Sequence, residues 1–254
     1  MEERNRKREG TICAGEERIG IISALPSEIS LLLEHAEIAE VRTIGGMDYH
    51  VGTLRGRPVV ITQSGMGKVL SAAGATAMLN HFRISSVLFT GVAGGVADDT
   101  HVLDVVIATG LVQHDYGQMT NQGFARLEGT AGDGVFPCAE ELVRAARRAA
   151  CETVGEEHVF LGTVASGDQF VASEAYVRML REKYGALACE MEGASVALVC
   201  RQYGVPCVVI RTLSDKADGL AHESFGNMLE KAADQSGKII MKMLEETEIR
   251  AEAD

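Results

Sequence analysis

The sequence predicts an α/β chain: a single-domain, three-layer sandwich in which a central, largely parallel or mixed twisted sheet is covered by helices. Three observations predict it. Short β-branched runs alternate with helical patterns along the chain, the rhythm of strand–helix crossover units. Runs such as VVIATG (105–110) and PCVVIRTL (206–213) are apolar at consecutive positions, as in strands buried on both faces. The 254 residues contain only 4 Pro and no internal repeat, low-complexity tract or Pro-rich linker, so one large domain is expected.

The elements follow in order. Strands are expected at 18–24, 58–63, 86–90, 102–109, 159–165, 187–191 and 205–213. Helices are expected at 26–35, 68–82, 137–152, 173–184, 193–203 and 224–246. Pro26 suits a first helical turn because its φ is already near the helical value, and Ser173 is a good N-cap. Residues 114–136 are rich in Gly, Gln and Thr and follow neither period. They read as a long surface loop, and loops of that length are usually functional or mobile. Residues 1–17 are mostly charged and lack an apolar stretch, so they read as a flexible N-terminal extension, neither signal peptide nor anchor. The folded domain is expected over 18–246, with a tail at 247–254.

Composition narrows the partners. A hydrophobic fraction of 46% with 24% charged residues describes a core-forming chain and excludes collagen-like, disordered and membrane-spanning classes. With 24 Lys+Arg against 36 Asp+Glu the net charge is −12, and no basic stripe is visible, which argues against a nucleic-acid surface. The ligand should be neutral, cationic or bound locally. The six cysteines, at 13, 138, 151, 189, 200 and 207, form no C-x-x-C pair and no zinc-spaced cluster, so no metal is expected. Three of them sit in apolar runs and read as small buried hydrophobes in a reducing, cytoplasmic setting.

In an open α/β sheet the ligand lies beyond the carboxyl ends of the strands. Four such segments are unusually polar: ALPSE (24–28), TGVAGG (90–95), ASGDQF (165–170) with CEMEG (189–193), and RTLSD (211–215). Two glycine motifs fail on inspection. A Walker A phosphate loop would need Gly at 62 and Ser or Thr at 69, where the chain has Thr62 and Val69. Neither Gly65-Met66-Gly67 nor Gly91-Val92-Ala93 completes G-x-G-x-x-G, so the glycines fit close backbone approach to a compact ligand better than dinucleotide binding.

The acidic residues each admit two readings. Glu190 and Glu192 are either helix-terminal carboxylates favoured by the macrodipole or groups that accept from two neighbouring hydroxyls, as in a ribose diol. Ser214-Asp215 either caps the next element or carries chemistry at a strand end. Glu28 alone reads as a surface acid in the first turn of a helix. Arg211, inside an apolar strand, demands a carboxylate or a ligand.

Taken together in order, these segments resemble the 5′-methylthioadenosine/S-adenosylhomocysteine nucleosidases, within the broader nucleoside phosphorylase family, from about residue 19 to 246. IGIISALPSEISLLL resembles the family's first strand and catalytic turn; SGMGKVLSAAGAT and FTGVAGGV its two glycine loops. SGDQFV resembles its base-binding segment, CEMEGASVA its ribose-binding segment and VIRTLSDKAD its acid-bearing strand end. The resemblance implies a nucleoside phosphorylase-like fold and hydrolysis of an adenine N-glycosidic bond. In those terms Asp215 is the general acid at the adenine N7, oriented by Ser214, while Glu28 holds and deprotonates the attacking water with help from Arg211. Glu192 accepts from the ribose hydroxyls, with Glu190 in the same segment, and Met191 lies along the sugar. Phe170 and the Val171 backbone form the adenine platform, Phe225 covers the sugar or thioalkyl end, and Met66, Val92, Ala93 and Gly94 come from the glycine loops. At Val92 the family commonly has a serine that helps place the water.

The implied partners are a small adenine nucleoside and water, with no organic cofactor, no metal, no nucleic acid, no membrane, and a homodimer. Two alternatives stay open. A phosphate-dependent phosphorylase needs an anion site, yet 20–28 and 90–96 contain no Lys or Arg. A non-catalytic nucleoside sensor on the same fold would need neither Glu28 nor Asp215.

Overall fold

The structure, a computed structural model, describes residues 16–218 and 221–245. Its strands and helices are β1 Arg18–Ser23, α1 Pro26–His35, β2 Glu37–Ile44, β3 Met47–Leu54, β4 Arg57–Gln63, α2 Lys68–His81, β5 Ile84–Gly95, β6 Val105–Gln113, β7 Gly117–Thr120, β8 Gly123–Arg126, β9 Phe136–Pro137, α3 Glu140–Val154, β10 Val159–Ser166, α4 Glu174–Tyr184, β11 Ala186–Glu190, α5 Gly193–Tyr203, β12 Cys207–Asp215 and α6 Ala221–Glu245.

The main sheet is mixed, in the order β2-β3-β4-β1-β5-β12-β6-β10-β11. β1 runs parallel to β4 and β5, β12 parallel to β5, and β10 parallel to β6 and β11. The path also closes on itself. β11 pairs antiparallel with the end of β5, Ala188 with Gly95 and Cys189 with Gly94. Five strands, β5, β12, β6, β10 and β11, thus form a ring, while β1 to β4 extend from it as an open wing.

Amphipathic helices cover the sheet, as the pattern requires. In α3 the buried residues Leu142, Val143, Ala145, Ala146, Ala149 and Ala150 recur at helical spacing. α1 and α3 both pack on α6, which lies across β12 and β5, and α2 packs against α5. Every residue of β12 is buried, which is why its sequence shows an apolar run with no strand alternation. Fully buried Ile21, Ile61, Leu88 and Ile107 each contribute about 1.5–3 kcal/mol relative to an exposed side chain.

The structure corrects several sequence expectations. Residues 37–54, left without an assignment, form the β2–β3 hairpin turning at Gly45-Gly46; β2 is nearly all exposed, so no apolar stripe announces it. The supposed loop at 114–136 contains the β7–β8 hairpin and the short β9, which pairs with β6. That pairing makes Phe136 and Pro137 extended, and α3 starts at Glu140 instead of 137. The glycine segment 90–95 lies within β5 and is not a loop. β6 and β12 each start and end later than expected, and α6 begins at Ala221 instead of 224. The expectations for residues 1–15, 219–220 and 246–254 lie outside the described residues. Cys138, Cys189, Cys200 and Cys207 are buried and unbridged, as small hydrophobes should be.

Candidate active site

The carboxyl ends of β1, β5, β10, β11 and β12 surround a partly open cavity. It is lined by Glu28, Met66, Val92, Ala93, Gly94, Phe170, Val171, Glu190, Met191, Glu192, Ser214, Asp215 and Phe225. Of the residues singled out in the sequence, Arg211 alone stands outside this lining; it lies directly behind Glu190. Ala24, Leu25, Gln169 and Cys189 line the cavity and were not singled out. The strand-end rule could have found Ala24, Leu25 and Cys189, and Gln169 lies next to Phe170 in a segment already noted.

Glu28 enters the cavity because α1 begins immediately after β1. It is the third residue of that helix, and its Oε2 accepts the N–H groups of Leu25 at 2.8 Å and Ala24 at 2.9 Å, satisfying donors that a helix start leaves orphaned. Its Oε1 accepts Val92 N–H from β5 at 2.9 Å. The reading of Glu28 as a surface acid is therefore corrected: it is 4% exposed. Burial pushes its pKa above the ordinary 4.5, opposed by the Arg211 charge and the three amides. The approach of α1 to β5 depends on Gly91, where a Cβ would lie 2.5 Å from Glu28 Oε1.

Asp215 ends β12 and is 2% exposed. Its Oδ2 accepts the Ser214 hydroxyl at 2.8 Å and its Oδ1 the Ala217 N–H at 2.7 Å. Ala217 holds φ at 52°, uncommon for a residue with a side chain, and that turn aims its N–H back at the carboxyl group. Ser214 Oγ also lies 3.3 Å from Ala93 O. One hydroxyl proton serves two acceptors, so Ser214 can donate to an ionised Asp215, or donate to Ala93 while accepting from a protonated one.

Glu190 and Glu192 are two positions apart and differ completely in surroundings. Glu190 is saturated internally. Arg211 donates to its Oε2 at 2.6 Å, the Ser166 hydroxyl to its Oε1, and the N–H groups of Glu192 and Gly193 complete the set. The Arg211 guanidinium in turn stacks on Phe89, 4.2 Å from the ring centroid, so the buried cation has both a carboxylate and an aromatic face. Glu192, at the N-cap of α5, accepts Gly67 N–H on Oε1 at 2.7 Å. Burial and the neighbouring Glu190 charge raise its pKa to about 8. Gly67 presents that N–H from φ 93°, a conformation glycine adopts without strain.

The mouth is aromatic and apolar. Phe170 and Phe225 meet edge to face, centroids 5.6 Å apart, and Phe170 and Met66 are 39% and 60% exposed. Among the described residues no Lys or Arg lines the cavity. Burial, with the charges of Asp215 and Glu190, raises the pKa of the Cys189 thiol, which makes it a poor nucleophile at neutral pH. Among the described residues no cluster of His, Cys, Asp or Glu is arranged to hold a metal ion, and no helix is long and apolar enough to cross a membrane.

The family model described as Phosphorylase superfamily matches residues 18–245. An aminodeoxyfutalosine nucleosidase of Helicobacter pylori is 37% identical over 235 residues, covering 91% of this chain and 99% of that protein. A 5′-methylthioadenosine/S-adenosylhomocysteine nucleosidase of Shewanella sp. is 35% identical over 230 residues, covering 90% and 97%. The crystal structure of the Helicobacter pylori 5′-methylthioadenosine/S-adenosylhomocysteine nucleosidase, complexed with a pyrrolidine-based ligand, superposes with a TM-score of 0.82 at 36% identity, covering 90% of this chain and 97% of that one.

Proposed function

This chain belongs to the phosphorylase superfamily, and from that membership and the cavity's chemistry we infer that it is an N-glycosyl hydrolase releasing adenine from 5′-substituted adenine nucleosides. The observation that carries the reading is the presence of two buried carboxyl groups, Glu28 and Asp215, on the lining of one cavity.

Cleavage of the sugar–base bond develops positive charge on the ribosyl group and negative charge on the departing adenine. Asp215 protonates the adenine N7. Its proton is retained when Ser214 turns its own hydroxyl proton to Ala93 O and accepts from Asp215, a switch that needs no side chain to move. A positioned acid of this kind contributes about 10²–10⁴-fold. Glu28, ionised, accepts the proton of the attacking water and stabilises the ribosyl cation through space. Its three amide donors fix the carboxylate, so it is oriented before substrate arrives. Glu192 accepts from the ribose hydroxyls, with Met191 along the sugar. Phe170 stacks on the base beside the Val171 backbone, and Phe225 and Met66 close over the 5′ substituent. Arg211 acts at one remove, holding Glu190 and lowering the cost of a charged Glu28.

Water, not phosphate, is the nucleophile in this reading. The described lining offers no cation to a phosphate, and Glu28 would repel one. At position 92, where the family commonly has a serine, Val92 gives its backbone N–H to Glu28 and offers no side-chain hydroxyl to the water. The 5′ position carries a methylthio, homocysteinyl, deoxy or futalosine-type group; the apolar mouth favours a thioether, and the similarity to an aminodeoxyfutalosine nucleosidase supports the larger tail. The protein is further read as cytoplasmic, homodimeric and independent of cofactors.

The test is adenine release from methylthioadenosine, adenosylhomocysteine and aminodeoxyfutalosine in phosphate-free buffer, for the parent, Asp215→Asn and Glu28→Gln. The expected result is phosphate-independent release that both substitutions lower by about 10²-fold or more. Dependence on added phosphate, or full turnover in both variants, overturns the reading.

A further inference from the structure

Lys68 occupies an unfavourable place. It is the first residue of α2, where the helix dipole opposes a cation, and the N-cap Gly67 supplies no side chain to the exposed amides. Two distant acids resolve both problems. Asp168 Oδ1 accepts Lys68 N–H at 2.7 Å and so caps the helix from 100 positions away in the chain. Asp115 Oδ1 accepts Lys68 Nζ at 2.6 Å, and Asp115 Oδ2 accepts the backbone N–H of Asp168 at 2.8 Å. Lys68, Asp115 and Asp168 thereby close a ring of three hydrogen bonds, and Gln113 Oε1 adds a further acceptor to Lys68 Nζ at 3.1 Å.

The ring joins two parts of the cavity that the sequence keeps apart. On one side Gly67, next to Lys68, gives its N–H to Glu192. On the other, Asp168 is followed directly by Gln169, Phe170 and Val171, all lining residues. The ion pair is largely shielded, with Lys68 and Asp115 side chains 16% and 15% exposed, so solvent screens it less than a surface pair. Burial alone would raise the Asp115 pKa, but the Lys68 ammonium and the Asp168 amide more than reverse that, holding the carboxyl ionised.

We propose that Lys68, Asp115 and Asp168 are positioning residues that couple the base-binding segment to the ribose-binding carboxylate, so that the two halves of the nucleoside bind cooperatively. The proposal rests on the hydrolase reading above and deepens it. Contact of adenine with 168–171 fixes Asp168, the ring then fixes the α2 start, and the Gly67 N–H holds Glu192 ready for the ribose. A purely structural role would lower stability, or weaken both ligands alike, without changing how each affects the other.

The experiment is isothermal titration of the protein with adenine, with 5-methylthioribose, and with each in the presence of the other. In the parent, each product should tighten the other by about 5–150-fold, the usual range for coupled sites. In Lys68→Met and Asp115→Asn the mutual enhancement should fall to within about twofold of unity, with KM for methylthioadenosine raised more than kcat is lowered, while Lys68→Arg restores much of it. Thermal melts identify any variant that fails to fold, and the near-isosteric Asp115→Asn then decides the matter. Undiminished coupling in the folded variants, or no coupling in an active parent, overturns the inference alone. A parent that neither releases adenine nor binds it overturns the hydrolase reading and this inference with it.

Discussion

The closed ring and the open wing of the sheet bury apolar side chains equally deeply, yet only the ring concentrates charge in its interior. In the wing, Ile21, Tyr49, Val60 and Ile61 are buried among other apolar residues, and the charges of β2 face outward. In the ring, Glu190, Arg211 and Asp215 are each under a tenth exposed. Closure explains the difference. Pairing of β5 with both β12 and β11 brings three strand ends together, so carboxylates that would be solvated at an open edge meet partners instead. Glu28 is the wing's contribution, and it arrives only because Gly91 lets α1 approach β5. The wing is built for stability; the ring spends stability on orientation.

Substitutions can break or sharpen that contrast, and they rank by expected effect. Asp215→Asn keeps shape and removes the proton; kcat should drop by about 10²–10⁴-fold with the melting temperature little changed, as steady-state assays and a melt will show. Arg211→Met leaves Glu190 as an unpaired buried charge, and urea unfolding should register a loss of about 3–5 kcal/mol. A loss below about 1 kcal/mol there would mean that the ring's ion pair is not what holds it. Gly91→Ala places a methyl group 2.5 Å from Glu28 Oε1, and the displaced carboxylate should cost about 10²-fold in kcat in a protein that still folds.

A smaller effect should appear in the pH dependence of stability. Glu192 keeps its proton in the folded state up to about 8, against an ordinary 4.5 in the unfolded chain. Between those values the folded state binds more protons, so stability falls as pH rises through the window and is level above it. Glu192→Gln should flatten that decline between about pH 5 and 8. An unchanged slope in the variant would show that Glu192 is ionised throughout. Least of all, Val41→Thr on the exposed face of β2 should shift unfolding by no more than about 0.5 kcal/mol.

Much of this was legible in the residues, for identifiable reasons. Strands such as β12 announce themselves because burial on both faces leaves an unbroken apolar run, and α3 because its buried alanines recur at helical spacing. The β2–β3 hairpin was illegible because its outer strand has almost no buried face, and β7–β8 because four-residue strands are too short to show a period. Within the cavity, the polar strand ends pointed to Glu28, Ser214 and Asp215. Nothing in SGMGK, VQHD or SGDQ signals that Lys68, Asp115 and Asp168 form one ring, since each motif is separated from the next by about fifty residues of intervening chain.

The sequence by itself determined the alternation of strand and helix, the excess of acidic over basic residues, and the identity of the acids that could do chemistry at strand ends. It could not assign the directions of Glu190 and Glu192. Strand alternation would have sent both to one side, but β11 stops at Glu190 and Glu192 leaves the strand with φ −137° and ψ −40° to cap α5. One carboxylate therefore turns to Arg211 and the other to Gly67. That division is tertiary because a carboxylate's direction at a strand end follows from which buried donors the rest of the chain brings within hydrogen-bonding distance, and those donors come from β12 and from the start of α2.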